Sequence, residues 1–128
     1  MGKKPLAVIV EDSPTQAKQI AANLARYGID AVLAYDGPEG LRRVDEHHPD
    51  LVVLDVNLPS MDGYQVCRRL KRDPNTAHIP VVMLTVAEGF EATMQGLEAG
   101  ADDYIPKDVF ATENLVSTLG ALGLLSTK

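Results

Sequence analysis

The sequence predicts an α/β protein in which five parallel strands form a single sheet covered on both faces by five helices. Three observations carry that expectation. Short apolar runs alternate with stretches of helical periodicity five times, and no hairpin signal separates any two strands. The run Leu51-Val52-Val53-Leu54 is too short for a helix and apolar at every position, as a strand buried on both faces must be. It ends abruptly on Asp55, and the turn formers Asn57, Pro59, Asp62 and Gly63 follow within eight residues.

Taken in order, Leu6-Ala7-Val8-Ile9-Val10 is the first strand, and it too ends on acids, Glu11 and Asp12. Ser13 is the expected N-cap of a helix, with Pro14 at the first helical position and Gln16 three residues after the cap, as in a capping box. Ala17, Ile20, Ala21 and Leu24 recur at helical spacing and face inward, and Gly28 suits a left-handed ending. Ala31 to Ala34 is a short strand broken by Asp36-Gly37-Pro38. Glu39 to His47 reads as the second helix, with Leu41 and Val44 inward, stopped by His48-Pro49-Asp50. After the central strand, Tyr64 to Arg72 is the third helix, burying Val66, Cys67 and Leu70, and Asp73-Pro74-Asn75 closes it. Ile79 to Leu84 is the fourth strand, ending on Thr85. Glu91 to Glu98 is a helix closed by Gly100, and Asp103-Tyr104-Ile105 a short fifth strand leading into Pro106-Lys107. Thr112 is the expected N-cap of a last helix running through Leu115, Val116, Leu119 and Leu122.

At 128 residues the chain can bury a core without staples, and one domain spanning residues 1–128, with no output module, is expected. A net charge of −6 argues against sequence-independent binding to nucleic acid. Arg68, Arg69, Lys71 and Arg72 cluster, but on a helix they read as a solvated face. The single cysteine, Cys67, excludes an internal disulfide and reads as a small helix hydrophobe. His47, His48 and His78 lack metal-ligand spacing and are expected at the surface. The apolar run after Lys3 and Lys4 is too short for a signal peptide, and Gly2 lacks the hydroxyl residue that an acylation signal wants. No segment approaches a membrane span, so a cytoplasmic location is expected.

The chemistry lies at the strand ends. A lone ionised carboxylate closing an all-apolar strand is costly, and ligands of open parallel sheets bind outside the carboxyl ends of the strands. Asp55 is therefore the first candidate. Glu11, Asp12, Thr85 and Lys107 fall on the same edge, so three carboxylates, a hydroxyl and an ammonium should share one crevice. Carboxylates that close raise one another's pKa unless a cation neutralises them, and all-oxygen ligands suit Mg²⁺ or Mn²⁺. Such a cation beside a carboxylate and a lysine is equipped for phosphoryl transfer.

On these residues the chain resembles the receiver domain of two-component response regulators over its whole length. Glu11-Asp12 match the acidic pair, Asp55 the phosphoacceptor, and Pro59 with Met61-Asp62-Gly63 the loop after it. Thr85 matches the switch hydroxyl, Tyr104 the switch aromatic and Lys107 the lysine of the pattern. The resemblance implies a flavodoxin-like (βα)5 fold, doubly wound, with strand order 2-1-3-4-5. It implies that a sensor histidine kinase or histidine phosphotransfer protein phosphorylates Asp55. Mg²⁺ (or Mn²⁺) would be held by Asp12, Asp55 and the backbone carbonyl of Asn57, with Glu11 acting through water. Lys107 would pair with the phosphoryl oxygens, Thr85 would move toward them, and Tyr104 would turn into the vacated space. The surface of the fourth helix, fifth strand and fifth helix would then change to control a downstream protein. Such a domain is no enzyme beyond assisting its own phosphorylation and dephosphorylation, and is expected to make no direct contact with nucleic acid and no insertion into a membrane.

Two positions depart from the family pattern. Val86 follows Thr85 where a small residue is usual and is expected to narrow access to the phosphoryl site, and Asp108 follows Lys107 where proline is usual. Without that proline nothing local offsets the ~2.5–4 kcal/mol of a cis bond, so a trans Lys107–Asp108 peptide is expected. Two other functions compete: a pseudo-receiver that binds partners without phosphoryl turnover, and a Mg²⁺-dependent phosphohydrolase. The retained acids and lysine argue against the first. Asp55-Val56-Asn57, in place of an Asp-x-Asp nucleophile motif, argues against the second.

Overall fold

Each of the five apolar runs forms a strand in the computed structural model, which describes residues 4–86 and 89–125. The order is β1 (Leu6–Val10), α1 (Pro14–Ala25), β2 (Asp30–Ala34), α2 (Gly37–His47), β3 (Leu51–Leu54), α3 (Gly63–Arg72), β4 (Val81–Thr85), α4 (Phe90–Glu98), β5 (Asp103–Pro106) and α5 (Ala111–Ala121). All pairings are parallel and the sheet order is β2-β1-β3-β4-β5, as the resemblance implies. The order reverses between β1 and β3, which opens a crevice at their carboxyl ends. The readings of Gly2 and Lys3 lie outside the described residues.

Alternation along the strands divides the core into two layers. Val8, Val10, Val52, Leu54, Val81 and Met83 face one way and pack with Val44 of α2 and with Val66, Cys67 and Leu70 of α3. Ala7, Ile9, Leu51, Val53, Val82, Leu84 and Ile105 face the other way and pack with Ile20 and Leu24 of α1 and Leu115 and Leu119 of α5. Each large side chain withdrawn in this way contributes about 1.5–3 kcal/mol. His47, His48 and His78 are exposed, as expected.

Several boundaries differ from the sequence reading. Helix α2 starts at Gly37, two residues before Glu39, because Asp36 caps it through a 2.7 Å bond from the Glu39 N–H and Pro38 is tolerated in a first turn. Strand β4 starts at Val81 rather than Ile79: Pro80 has no N–H to give, and the Ile79 N–H turns back to the Thr76 carbonyl. Thr112 is not the N-cap of α5. Phe110 holds that position with no side-chain hydrogen bond, and Thr112 Oγ1 instead accepts from Asn23 of α1 at 3.4 Å. Ser13 does cap α1, accepting the Gln16 N–H at 3.3 Å, but the Gln16 side chain points elsewhere and the Ser13 N–H goes to Glu11 Oε2 at 3.1 Å. By contrast, α3 carries a complete capping box between Asp62 and Gln65. The Lys107–Asp108 peptide is trans, as expected.

Lys71 corrects the reading of the basic cluster as a solvated face. Its ammonium donates to the Ala77 carbonyl (3.3 Å), the Ile79 carbonyl (2.8 Å) and Asp102 Oδ2 (3.0 Å), which also accepts the Val81 N–H. One side chain thus ties the end of α3 and the approach to β4 to the entry of β5. Among the described residues no helix is long and apolar enough to cross a membrane.

Truncating Lys71 to Ala strands two carbonyls and a carboxylate and should cost about 1–3 kcal/mol, read as a lower denaturant midpoint; an unchanged midpoint would contradict the tie. Cys67 is buried, its thiol donates to the Ala99 carbonyl at 3.4 Å, and burial pushes its pKa up to about 11. A thiol reagent at pH 8 should therefore leave the native protein unlabelled and react at once in denaturant. Rapid labelling of the folded protein would show that the helix packing opens readily.

Candidate functional site

The β-ladder runs one residue past the apolar part of each strand. The Glu11 N–H donates to the Ala34 carbonyl (2.9 Å), that of Asp55 to the Val10 carbonyl (3.0 Å) and that of Lys107 to the Thr85 carbonyl (2.8 Å). These bonds fix the side chains of Glu11, Asp55 and Lys107 at the crevice where the strand order reverses. Continuing the alternation of β1 and β3 turns Glu11 and Asp55 toward the α1/α5 layer.

Lys107 joins the acids. Its ammonium donates to Glu11 Oε1, to Asp55 Oδ2 at 3.2 Å and to Gln16 Oε1 at 2.5 Å. Glu11 is 2% exposed and Asp55 5%, whereas Asp12 stands open to solvent. Oxygen atoms of Glu11, Asp12 and Asp55 lie within 4.8 Å of one another. Burial pushes the Glu11 carboxyl above its ordinary range, and the Asp55 charge adds to this against the opposing pull of Lys107. The group holds three carboxylates and one ammonium, which contacts two of them, so the cluster carries excess negative charge. An all-oxygen set with one open, exposed carboxylate fits a hard divalent cation that keeps several waters.

The loop after β3 is shaped to hold Asp55. The Asn57 N–H donates to Asp55 Oδ1 at 3.3 Å, and the Gly63 N–H returns to the Val56 carbonyl at 2.9 Å. A Cβ at Gly63 would lie 2.2 Å from the Asp55 carbonyl oxygen, so only glycine permits this approach.

Thr85 and Tyr104 lie on β4 and β5, on the far side of β3 from β1. Thr85 is fully buried at the end of β4, paired in register with Pro106. Tyr104 is paired with Met83, packs on the layer formed by α2, α3 and α4, and fills the space beside Gly96, where a Cβ would come within 2.6 Å of its ring. Burial and a hydrogen bond with Tyr64 push its phenol above the ordinary range, and Tyr64 in turn donates to the Ala92 carbonyl of α4 at 3.1 Å. After Lys107, the Asp108 side chain accepts the Phe110 N–H at 2.8 Å and turns the chain into α5. Val86 is exposed and borders a cavity of about 400 Å³ between α1 and α5, with Gln16, Ile20, Lys107 and Leu115 on its walls.

Sequence reasoning missed Gln16 as a neighbour of Lys107. Its position in the first turn after Glu11-Asp12 is the available signal, but the same position also fits a capping box with Ser13.

A family model described as "Response regulator receiver domain" matches residues 7–119. The DNA-binding dual master transcriptional regulator RpaA of Synechocystis sp. is 40% identical over 118 residues, covering 92% of this chain and 48% of that protein. The chain thus spans about half the length, or less, of the relatives it matches. Among solved structures, the signal receiver domain of a histidine kinase from Syntrophus aciditrophicus has a TM-score of 0.84 at 37% identity, covering 97% of this chain and 95% of that one. The chemotaxis response regulator CheY4 of Vibrio cholerae has a TM-score of 0.84 at 26% identity, covering 93% and 98%. With a family model matching residues 7–119 and solved receiver domains sharing the fold, the chain belongs to the response regulator receiver domain family.

Proposed function

We propose that this receiver is a phosphorylation-activated switch in a two-component relay, with Asp55 as the phosphoacceptor. The observation that carries this reading is the placement of Asp55: a nearly buried carboxylate closing the central strand, 3.2 Å from the Lys107 ammonium and grouped with Glu11 and Asp12. A sensor histidine kinase or histidine phosphotransfer protein brings a phosphohistidine to the crevice. The N–P bond breaks, a carboxylate oxygen of Asp55 bonds to phosphorus, and the imidazole leaves.

Asp12, Asp55 and the Asn57 carbonyl would hold Mg²⁺ (or Mn²⁺), with Glu11 acting through water. When bound, the cation supplies charge neutralisation to the carboxylates and to the incoming phosphoryl oxygens. Lys107 gives the phosphoryl group the N–H that it now directs at Asp55, and Glu11 keeps the ammonium in place. Thr85 then turns toward the phosphoryl group, and Tyr104 shifts on the α4 side. The surface of α4, β5 and α5 changes as a result and meets a downstream protein.

In this reading the described residues act as one receiver unit, not an enzyme in its own right, and assist only the phosphorylation and dephosphorylation of Asp55. A kinase donor implies a cytoplasmic location. RpaA is named as DNA-binding, but a net charge of −6 supports no direct contact of this receiver with nucleic acid.

Incubation with a small phosphodonor and Mg²⁺ should add one phosphoryl mass to the intact protein. Chelation of the metal or Asp55→Asn should abolish it, and an adduct that persists in Asp55→Asn would move the acceptor elsewhere. Lys107→Ala should impair signalling more than acceptance, because Mg²⁺ offsets part of the phosphoryl charge while Lys107 links it to the last loop. Phosphorylation should alter hydrogen exchange in α4, β5 and α5 of the wild type, with most of that change lost in Lys107→Ala. Couplings of this kind are worth about 5–150-fold in affinity. An undiminished exchange response in Lys107→Ala would remove the lysine from the coupling.

A further inference from the structure

We propose that Gln16 is a positioning residue for Lys107, the third acceptor that aims the ammonium at Asp55; this rests on the phosphoacceptor reading above.

The starting observation is a local pattern used in two ways. Both α1 and α3 carry a side-chain N-cap with glutamine three residues on. In α3, Gln65 reaches back to the Asp62 N–H and completes a capping box. In α1 the corresponding donor, the Ser13 N–H, is already taken by Glu11 Oε2 at 3.1 Å. The Gln16 side chain is thereby released, and its amide oxygen lies 2.5 Å from Lys107 Nζ. An ammonium has donors and no acceptor, so it is the oxygen of this amide that faces it.

These bonds close a ring. Lys107 donates to Glu11, Glu11 accepts from Ser13, Ser13 accepts from the Gln16 N–H, and Gln16 accepts from Lys107. Two of the three ammonium N–H groups are therefore fixed by Glu11 at the end of β1 and Gln16 in the first turn of α1. The third is left for Asp55 at 3.2 Å, where the oxygens of a transferred phosphoryl group would lie. Gln16 suits this place because it is neutral. It fills the third acceptor position without adding a further carboxylate to a cluster that already holds three. An apolar residue there would leave the ammonium free to swing toward the open cavity between α1 and α5, on whose wall both Gln16 and Lys107 lie.

The test compares the wild type, Gln16→Met and Gln16→Glu in the full chain. Gln16 is exposed and methionine has a similar helix propensity, so the substitution leaves the fold intact. Two quantities are read. The first is the rate at which the Lys107 ammonium protons exchange with water, followed by NMR without metal or donor. The second is the affinity for trifluoroberyllate in Mg²⁺, a stand-in for the phosphoryl group on Asp55. Gln16→Met should speed ammonium exchange and weaken trifluoroberyllate binding about three- to tenfold. Gln16→Glu, which keeps an acceptor, should restore slow exchange. Unchanged exchange in Gln16→Met, or faster exchange with unchanged binding, would overturn the assignment. So would fast exchange in Gln16→Glu. If the wild type bound no trifluoroberyllate, the phosphoacceptor reading itself would fall, and the positioning role with it. If the wild type bound it and Gln16→Met bound it equally, only the role of Gln16 would fall.

Discussion

Two carboxylates withdrawn from water around a single ammonium set the terms for this end of the molecule. Glu11 and Asp55 are nearly inaccessible, and burying an ionised group without a partner costs several kcal/mol. Lys107 lies 96 residues from Glu11 and 52 from Asp55, so only the sheet can bring the partner to them. The parallel ladder does so by carrying one hydrogen bond past the apolar part of each strand, which places all three backbones on one edge. Local features then serve the same end. Ser13 gives its N–H to Glu11, Asn57 gives its N–H to Asp55, and Gly63 lets the next loop close against the Asp55 carbonyl.

The alternation of the strands has a further consequence for the proposed switch. Glu11, Asp55 and Lys107 gather beside the first turn of α1. Tyr104 lies on the opposite layer, tied through Tyr64 to the backbone of α4. Chemistry on one side of the sheet edge and reorganisation on the other would thus be joined across the strand ends themselves. Thr85 at the end of β4 and Lys107 just after β5 are linked there by a backbone hydrogen bond. In the proposed switch this bond would pass a displacement at either position to the other.

Asp55, Glu11 and Asp12 were legible as candidates because a charge that ends an apolar run has few purely structural explanations, and Lys107 because it follows the fifth strand on the same edge of the sheet. Strand order followed from the family resemblance and not from composition. What stayed hidden was determined by competition for donors. Gln16 looked like half of a capping box, and nothing in Ser13-Pro14-Thr15-Gln16 reveals that Glu11 would claim the Ser13 N–H first. Lys71 read as one of four solvated cations until the turn after α3 brought two carbonyls and Asp102 within its reach. Phe110 at the N-cap of α5 was equally unreadable, since it makes no capping bond and Thr112 serves α1 instead.

In the proposed switch the phosphoryl group resides on Asp55 and on no other side chain. Borohydride reduces an aspartyl phosphate to homoserine, so reduction after treatment with a phosphodonor and Mg²⁺, followed by peptide mapping, locates the acceptor directly. The account predicts homoserine at position 55 and intact aspartate at 12 and 62. Homoserine at another position, or a phosphoryl adduct that survives reduction because it sits on a histidine, would contradict it.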